Sequence, residues 1–385
     1  PLTSEYLKKY NKRIVLENNF DNLIKYTEIT HLVLPTPSLK NNSFSNKYLM
    51  ECLDQLSKSL LKYKNKSHII NITSTVMPGS CDNIFCNFLI SKGLENEKDF
   101  IITYNPHFIA QGTTIFNLEN PDFILIGSDS NKGKKLASFY KKIYKNNIKI
   151  SLLNTKEAEI TKISINSYIT SKITFSNFIS EMCENTKGVD ASLVLKAIGK
   201  DHRIGNSYLG VGTKYSGPCF PRDNKALDYF IKNKIKNSLP KFIDKINDSQ
   251  TNRIIRMIKK IISKEKLNKF SIGIFGLTYK EKTSIIKDSQ SYDLIEHLRK
   301  KYKDNINTYD NNVKPNHQFL NKYKLLFFKD INKFINKSKI LILMYPSKNF
   351  IKFALNSKNK IIIDCWNIID EKKTNSKVYK LGKYF

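Results

Sequence analysis

The sequence lacks any long hydrophobic run. No part of its 385 residues approaches the stretch of about 18 uncharged apolar residues that a transmembrane helix needs. The N-terminus also lacks the succession of basic, apolar and small residues that marks a signal peptide. We therefore expect a soluble cytoplasmic protein without a membrane partner. A chain of this length predicts two or three domains, because one hydrophobic core seldom organises so many residues.

Cysteine pairs at metal-binding spacing are also absent. The six cysteines are scattered, and none has the CxxC or Cys/His spacing of a zinc site. A chain of this length does not need a disulfide framework. We therefore expect free thiols and no metal site. For every cysteine except Cys219, the simplest interpretation is a small buried hydrophobic residue.

Arginine is scarce, although the chain is strongly basic. Lysine and arginine number 65 against 34 acidic residues, which gives a net charge of +31, but only six of the basic residues are arginine. Proteins that bind nucleic acid depend on arginine for bidentate contacts, and the lysines here are spread along the chain. The composition therefore favours a codon bias toward Lys, Asn and Ile over a nucleic-acid partner. Salt-dependent retention on DNA is expected only of the nucleic-acid alternative.

Short apolar runs alternate with amphipathic stretches over the first 150 residues, a pattern typical of a parallel α/β fold. The predicted strands are His31 to Leu34, His68 to Ile72, Phe100 to Thr103 and Phe123 to Ile126, and the predicted helices are 46–63, 80–92 and 131–144. Residues typical of turns follow most of these strands, and ligands of such sheets bind at the carboxyl ends of strands.

A helical section and a second alternation follow. The predicted helices are 155–187, 190–198, 223–233 and 240–264, and the later strands are Phe270 to Phe275, Ile306 to Tyr309, Ile340 to Met344 and Ile361 to Asp364. The first of these helices is apolar on nearly all sides and needs burial on more than one side, which predicts a homodimer built on 155–187.

A loop rich in glycine and proline holds the most distinctive residues. Residues 210–223 read GVGTKYSGPCFPRD, a glycine spacing that fits neither GxGxxG nor a P-loop. Such a loop brings backbone close to a ligand. Cys219 lies between two prolines and close to Arg222, and a nearby cation favours the thiolate. These residues alone leave a nucleophile and a structural cysteine about equally favoured.

A polar stripe marks the long predicted helix. Glu159, Lys162 and Asn166 are three and four residues apart, so they lie on one face of a helix that is otherwise rich in Ile and Phe. The spacing does not separate a functional site from a solvated face.

Six segments in series are recognisable. They are TSTVMPGS (73–80), YNPHFIAQG (104–112), AEITKISIN (158–166), RIGNSYLG (203–210), GPCFPRD (217–223) and FGLTYKEKTSIIKDS (275–289). In order and spacing they resemble the UDP-glucose and UDP-N-acetylhexosamine 6-dehydrogenase family over nearly the entire chain. The resemblance implies an α/β fold in which two Rossmann-like parallel-sheet domains are joined by a helical middle domain. The implied domains are NAD-binding (1–153), helical and dimerising (154–268) and UDP-sugar-binding (269–385).

The resemblance also implies an activity, the oxidation of the C6 alcohol of a UDP-sugar to the uronic acid with NAD in two steps. UDP-glucose is favoured over a UDP-N-acetylhexosamine. Cys219 is the implied nucleophile, which holds the aldehyde as a thiohemiacetal and then as a thioester. Lys162 and Asn166 are implied to stabilise the oxyanion, and Asp223 and Thr75 to handle water and protons.

Further contacts follow from the same resemblance. The implied NAD contacts are Thr36, Ser74, Thr75, Gln111 and Lys287. The implied substrate contacts are His107, Phe108, Lys162, Asn166, Arg203, Tyr208, Tyr215, Gly217, Tyr279 and Lys280. Among these, Arg203 is implied to reach the sugar site of the partner subunit in the homodimer.

The chain departs from the family pattern in several places. His107 and Gln111 stand where most members have glutamates, so His107 is either a substitute base or a structural histidine. Where many members carry arginine near the last predicted strand, this chain has Asp364, Cys365 and Trp366, and Lys287 also stands where arginine is usual. These departures keep a non-catalytic homologue that binds UDP-sugar as the alternative.

The largest departure is at the start of the sequence. The family opens with a strand, a GxGxxG turn and a helix, whereas residues 1–385 begin at Pro1 and contain no GxGxxG. The glycines of that turn let backbone approach the pyrophosphate. We therefore expect roughly the first fifth of the NAD-binding domain to be absent from these residues, which alone should bind UDP-sugar but little NAD.

Overall fold

The chain folds into two compact units. The computed structural model describes residues 2–64, 66–131, 133–145, 147–302 and 305–385. The first unit holds the chain up to Ile165 together with Lys225–Asn237, and the second unit holds Asn166–Asn224 and Ser238–Phe385. The division into domains 1–153, 154–268 and 269–385 stays a prediction. Its first residue, Pro1, lies outside the described residues.

The first unit is built on a five-stranded sheet. The strands are β1 (Ile29–Leu32), β2 (His68–Ile72), β3 (Phe100–Tyr104), β4 (Ile124–Gly127) and β5 (Ile150–Leu153), in the spatial order β1-β2-β3-β4-β5. The helices are α1 (Leu2–Tyr10), α2 (Phe20–Tyr26), α3 (Lys47–Lys62), α4 (Asn87–Ser91), α5 (Thr114–Glu119) and α6 (Gly133–Ile143), with a 3₁₀ turn at Asn11–Arg13 and a π-helical turn at Cys81–Cys86. The unit also contains the start of α7 (Thr155–Glu184).

One strand pair of this sheet differs from the parallel arrangement that the sequence predicts. β1, β2 and β3 run parallel, and so do β4 and β5. β3 and β4 meet antiparallel at Tyr104 and Gly127. The connection between them holds only the short α5 rather than the full crossover helix that usually links parallel strands.

One apolar face of α3 holds this helix on the sheet. Leu49, Leu53, Leu56 and Leu60 are spaced by four, three and four residues, so they lie on one side of the helix. All four are fully buried in one core cluster with residues of β2 and β3. Each contributes about 2 kcal/mol of hydrophobic stabilisation. The cluster fixes β2 and β3 side by side, with their carboxyl ends at the same edge.

A buried histidine in β2 should make the stability of the first unit depend on pH. Burial lowers the pKa of His68 from 6.5 to about 4, and the Lys66 charge acts in the same direction. At high pH the imidazole is neutral in both states. As the pH falls from 6.5 toward 4, only the unfolded chain gains the proton, so stability falls by up to about 3 kcal/mol. Urea unfolding at several pH values would measure this loss.

His68→Asn should flatten this acid dependence. The folded side chain contacts Thr30, whose Oγ1 lies 2.8 Å from Nε2, and Nδ1 is buried without a hydrogen-bond partner among the described residues. The exposed His202, replaced in the same way, is the control and should leave the pH profile unchanged. An equally steep acid loss in His68→Asn would assign the dependence to another group.

The second unit combines the helical section with a six-stranded sheet. The strands are β6 (Ile272–Phe275), β7 (Ile306–Tyr309), β8 (Leu326–Phe327), β9 (Ile340–Leu343), β10 (Lys358–Asp364) and β11 (Asn375–Lys380). The helices are the rest of α7, α8 (Ala191–Ile198), the start of α9 (Phe220–Ile231), α10 (Leu239–Lys264), α11 (Gln290–Tyr302), α12 (Gln318–Lys322), α13 (Ile331–Lys337) and α14 (Lys348–Asn356), with a 3₁₀ turn at Glu371–Lys373.

The paired strands of this second sheet are all parallel, in the order β11-β10-β9-β6-β7-β8. From β6 the chain proceeds outward through β7 and β8, then returns to β9 on the other side of β6. The strand order therefore reverses between β6 and β9. In open α/β sheets, ligands bind in the crevice at the carboxyl ends of strands beside such a reversal. In this unit the carboxyl ends of β6, β9 and β10 border that crevice.

Both faces of the second sheet are covered, which explains its continuous apolar strands. Ile340 and Ile342 of β9 join the core cluster that includes residues of α10 and α11. Leu341 and Leu343 point to the opposite face and join the cluster around α13 and α14. A strand buried on both sides therefore reads as an unbroken run of Ile and Leu.

The long elements match their predicted bounds closely. The predicted helix 155–187 is α7, and the predicted helix 240–264 is α10. The first predicted strand, His31 to Leu34, lies two residues too late, because β1 is Ile29–Leu32. Residue 132 of the predicted helix 131–144 lies outside the described residues. Within the described part of the chain, none of the helices combines the length and the apolar character that a membrane span requires.

Candidate functional site

In the second unit, a tight loop places the thiol of Cys219 directly before α9. Gly217 has a left-handed backbone with φ of 85°, and a methyl group there would lie 2.6 Å from the Tyr279 ring. Only glycine therefore permits this turn with the ring packed against it. The Cys219 carbonyl accepts the Asp223 N–H at 2.9 Å, which starts the hydrogen bonding of α9.

The surroundings of Cys219 favour a thiolate. Of the six cysteines, all of which lie in the described residues, Cys219 is the exposed one. It stands at the N-terminus of α9, where the helix dipole stabilises negative charge. Burial lowers the pKa of Lys280, and the Cys219 charge opposes this shift. Burial also raises the pKa of Tyr279 to about 12, with the Cys219 charge acting in the same direction. The thiol therefore has a cationic neighbour.

A buried carboxylate lies one turn further along α9. Asp223 is 1% exposed. Its Oδ2 accepts the amide of Asn166 at 2.6 Å, and its Oδ1 accepts the Nε–H of Arg222 at 3.0 Å. Two residues that the sequence assigns to catalysis, Asn166 and Asp223, are thus held together in one contact. The Asn166 amide has a second proton for another acceptor.

Beside this loop lies a cavity of about 420 Å³, which we call the main cavity. Four of the predicted substrate contacts line it, namely Tyr208, Tyr215, Tyr279 and Lys280. A fifth, Gly217, packs against the ring of the lining residue Tyr279. Tyr215 also supports the loop from within, because its hydroxyl binds Asp244 and accepts a hydrogen bond from Asn224 at 3.0 Å. Arg203 lies outside the cavity, with its guanidinium paired to Asp201.

Sequence reasoning missed several residues of the main cavity. Gly212, Ile173, Asn177, Gln290 and Trp366 also line it or touch its lining. Trp366 was noticeable as the single tryptophan of the chain, directly after a predicted strand. Its contact with the 210–217 loop could not be read from the sequence, because the two segments are far apart along the chain.

In the first unit, hydroxyl side chains gather at the carboxyl ends of β1 and β2. Thr36 is 5% exposed and donates its hydroxyl to the Thr75 carbonyl at 2.7 Å. The Ser74 hydroxyl accepts the Leu34 N–H at 2.8 Å and donates to the Leu34 carbonyl at 2.6 Å. Three of the predicted cofactor contacts, Thr36, Ser74 and Thr75, are therefore brought together here.

Lys162 joins this unit through α7. Its ammonium donates to the His107 carbonyl at 2.8 Å and lies 4.3 Å from the centre of the Phe108 ring. One turn earlier, the fully buried Glu159 accepts the N–H groups of Gly79 and Cys81. The polar stripe of α7 is thus directed inward rather than solvated.

Three more of the predicted site residues are His107, Gln111 and Lys287. Burial lowers the pKa of His107, and the charges of His31 and Lys162 act in the same direction, so its imidazole is neutral at neutral pH. Gln111 is exposed, in the turn that precedes α5. Lys287 is also exposed and belongs to the second unit, between β6 and α11.

The two sheets differ in how well the polar groups at the ends of their strands suit a dinucleotide. At the end of β7, where a dinucleotide-binding sheet presents an acidic ribose ligand, Asp310 instead accepts the N–H groups of Leu277 and Thr278 at 2.7 and 3.1 Å. In the first unit, the hydroxyl of Thr73 is buried without a hydrogen-bond partner among the described residues, beside Ser74 and Thr75. The hydroxyl-rich edge of the first sheet fits the polar groups of a dinucleotide better than the second sheet does.

Three family models match successive parts of the chain. All describe the UDP-glucose/GDP-mannose dehydrogenase family. Its NAD binding domain matches residues 1–148, its central domain matches 156–249, and its UDP binding domain matches 273–371.

Individual relatives agree with these matches. A UDP-glucose 6-dehydrogenase of Rickettsia bellii is 31% identical over 307 residues, which are 77% of this chain and 68% of the relative. The solved structure of a UDP-glucose dehydrogenase from Pyrobaculum islandicum superposes with a TM-score of 0.83 at 20% identity, covering 100% of this chain and 87% of the other. A UDP-D-ManNAc dehydrogenase from Pyrococcus horikoshii gives 0.81 at 20% identity, with 99% and 88% covered. The two solved structures share the fold of this chain.

Proposed function

The chain belongs to the UDP-glucose/GDP-mannose dehydrogenase family, and we propose that it oxidises the C6 alcohol of a UDP-sugar to the uronic acid. UDP-glucose is the favoured substrate, since the 31% identical relative is a UDP-glucose 6-dehydrogenase. The observation that carries the proposal is the exposed Cys219 at the N-terminus of α9, with Lys280 near it and the main cavity beside it.

Two predictions made from the sequence are confirmed, namely the family resemblance and the α/β fold. The chain is a nucleotide-sugar dehydrogenase, and its cofactor is NAD. Thr36, Ser74 and Thr75 are the residues that would hold NAD in the first unit, and NAD supplies the hydride acceptor for both oxidations. Weak NAD binding by residues 1–385 alone stays a prediction.

The proposed chemistry at Cys219 has three stages after the alcohol has become an aldehyde. First, the thiolate sulfur forms a bond to the aldehyde carbon, the carbonyl electron pair moves to oxygen, and a proton completes the thiohemiacetal. Next, loss of a hydride from that carbon and of the hydroxyl proton gives a thioester. Finally, water adds to the thioester carbon, the C–S bond breaks, and Sγ leaves as the thiolate. A single thiol thus serves the second oxidation and is regenerated.

Polar groups of the second unit support these stages in the proposal. Lys280 offers positive charge near Sγ and the substrate. Asp223 orients the Asn166 amide, whose second proton is available to an oxyanion. Because Asp223 is already hydrogen-bonded to Arg222 and Asn166, it positions these side chains and a water molecule for the proton transfers.

The other residues with proposed catalytic roles, Lys162, His107 and Thr75, belong to the first unit. Lys162 is proposed to stabilise an oxyanion, held by its bond to the His107 carbonyl. The imidazole of His107 is proposed as the base for thioester hydrolysis, because burial lowers its pKa and so favours the unprotonated form that can accept a proton. Thr75 stays a proposed contact for water.

The function is tested by supplying NAD with a panel of UDP-sugars to the protein that includes any upstream residues. We expect two equivalents of NADH for each equivalent of uronic acid, with UDP-glucose the best substrate. UDP-sugar binding without NADH would instead support a non-catalytic homologue. Faster turnover of a UDP-N-acetylhexosamine would replace the favoured substrate and keep the reaction.

We also propose a homodimer built on α7, because this helix exposes an apolar stripe. Tyr168, Phe175, Phe178 and Met182 are 65%, 46%, 56% and 49% exposed, and their spacing of seven, three and four residues places them on one side. Light scattering at micromolar concentration should give twice the mass of the chain. Phe178→Lys should reduce it to the monomer mass, because a charge in an apolar interface is costly.

Two further results decide the dimer proposal. The control is Phe242→Lys, which places the same charge on an exposed aromatic of α10 and should keep the mass doubled. A monomer in the wild type would refute the proposal. If the partner's sugar site uses Arg203, Arg203→Ala should weaken substrate binding about tenfold without changing the mass.

A further inference from the structure

In the second unit, Trp366 separates the main cavity from a neighbouring one. The neighbouring cavity, which we call the side cavity, has a volume of about 360 Å³ and reaches Lys196, Pro346 and Ile368. Trp366 lines both cavities, together with the backbone segment around Gly210. The indole is therefore the largest side chain in the wall between them.

The position of Trp366 is fixed by the backbone that follows β10. The fully buried carboxylate of Asp364 accepts the N–H groups of Trp366, Ile368 and Ile369 at 3.0, 2.7 and 2.7 Å. The indole packs against Gly212, where a methyl group would lie 2.9 Å from Cζ3. Its Nε1–H is buried without a hydrogen-bond partner among the described residues. Packing and the Asp364 contacts therefore hold the ring, and polar contacts of the indole do not.

The two ends of the 212–217 loop border chemically different parts of the main cavity. At one end of the loop, the Tyr279 ring packs against Gly217, near Cys219 and Lys280. This end suits the reacting sugar. At the other end, the indole of Trp366 packs against Gly212, beside the apolar side chains of Leu209 and Val211. A flat aromatic wall with apolar neighbours suits a nucleobase rather than a diphosphate.

We propose that Trp366 closes the base end of the main cavity and makes the site select pyrimidine over purine nucleotides. The inference rests on the proposed function, because it assumes that the main cavity holds the nucleotide of the substrate. A single pyrimidine ring fits against the indole. A purine carries a second ring, and the space for that ring lies behind the indole in the side cavity.

Calorimetry with UDP and with GDP tests the proposal on the full chain. The wild type should bind UDP at least about tenfold more tightly than GDP. Trp366→Ala should weaken UDP binding about tenfold, the usual loss when a base loses its aromatic platform, and should not weaken GDP binding. The preference for UDP should therefore collapse. Trp366→Phe, which keeps an aromatic wall, should retain it.

Two more variants serve as controls for this test. Trp366→Leu leaves an apolar side chain in the core and opens the partition only in part, so the preference should fall to an intermediate value even if the alanine variant is unstable. Ile368→Ala enlarges the side cavity alone and should change neither affinity. An unchanged ratio of UDP to GDP affinity in folded Trp366→Leu or Trp366→Ala overturns the proposal. If the wild type turns over UDP-glucose while the Trp366 variants keep the affinity ratio unchanged, the proposed function stands and only the role of Trp366 is overturned. If the wild type binds no UDP, both the proposed function and the role of Trp366 are overturned.

Discussion

Cys219→Ala should abolish uronic acid formation and lower kcat by about 10³-fold or more. Without the thiolate, the aldehyde carbon has no covalent partner, so neither the thiohemiacetal nor the thioester forms. UDP-sugar affinity should stay within about threefold of the wild type, because an exposed thiol contributes little to ground-state binding. Product analysis by mass spectrometry measures the first effect, and calorimetry measures the second.

Controls separate loss of the nucleophile from damage to the protein. Cys86→Ala removes a half-buried thiol in the first unit and should leave turnover unchanged. Brief alkylation should modify Cys219 first, since it is the exposed cysteine, and UDP-glucose should slow that reaction. Cys219→Ser keeps a weaker nucleophile and should accumulate an intermediate at most slowly. Wild-type acid production by the alanine variant would remove Cys219 from the mechanism.

Much of the fold could be predicted because the long elements have strong periodic patterns. The leucines of α3 recur at helical spacing, and the run of Ile and Leu in β9 is typical of a strand buried on both faces. β8 and β11 were not predicted as strands. They lie at the edges of the second sheet, and β11 is largely polar, so local pattern gave no signal. The antiparallel meeting of β3 and β4 depends on tertiary packing rather than local sequence.

The site could be predicted only where a motif carries it. The segment around Cys219 is distinctive on its own, and the structure gives it an exposed thiol at a helix N-terminus. The contact between Asn166 and Asp223 joins two motifs whose residues had separate predicted roles. The packing of Trp366 on Gly212 joins residues without any shared local pattern. Both contacts join segments that are far apart along the chain, so the sequence does not encode them locally.

Replacement of Glu184 by alanine should cost about 3 to 5 kcal/mol of folding free energy, the largest stability effect we expect. Arg253 of α10 is 3% exposed, and its Nε–H lies 3.0 and 3.1 Å from the two carboxylate oxygens of Glu184 at the end of α7. Glu184 also accepts the Gly382 N–H at 2.8 Å. Its removal leaves a buried guanidinium without its counter-charge. Denaturant unfolding of both proteins measures the loss.

A neighbouring ion pair provides a matched control on the same two helices. Arg256 pairs with Glu181, and their side chains are 57% and 36% exposed. Glu181→Ala should therefore cost less than about 1 kcal/mol, because water screens an exposed pair and competes for its partners. A similar loss in both variants would mean that helix contacts, rather than the buried charge, account for the effect.

The double variant Glu184→Leu with Arg253→Met should recover most of the loss caused by Glu184→Ala. Apolar side chains of similar size require no desolvation of charge, so replacement of both partners is less costly than removal of one. Full recovery is not expected, because the Gly382 N–H loses its acceptor, and Gln250 loses the Arg253 contact at 2.9 Å. A double variant that is as unstable as the sum of the two single variants would show that the residues act independently. The ion pair would then be a consequence of the packing of α7 on α10 rather than a coupled interaction.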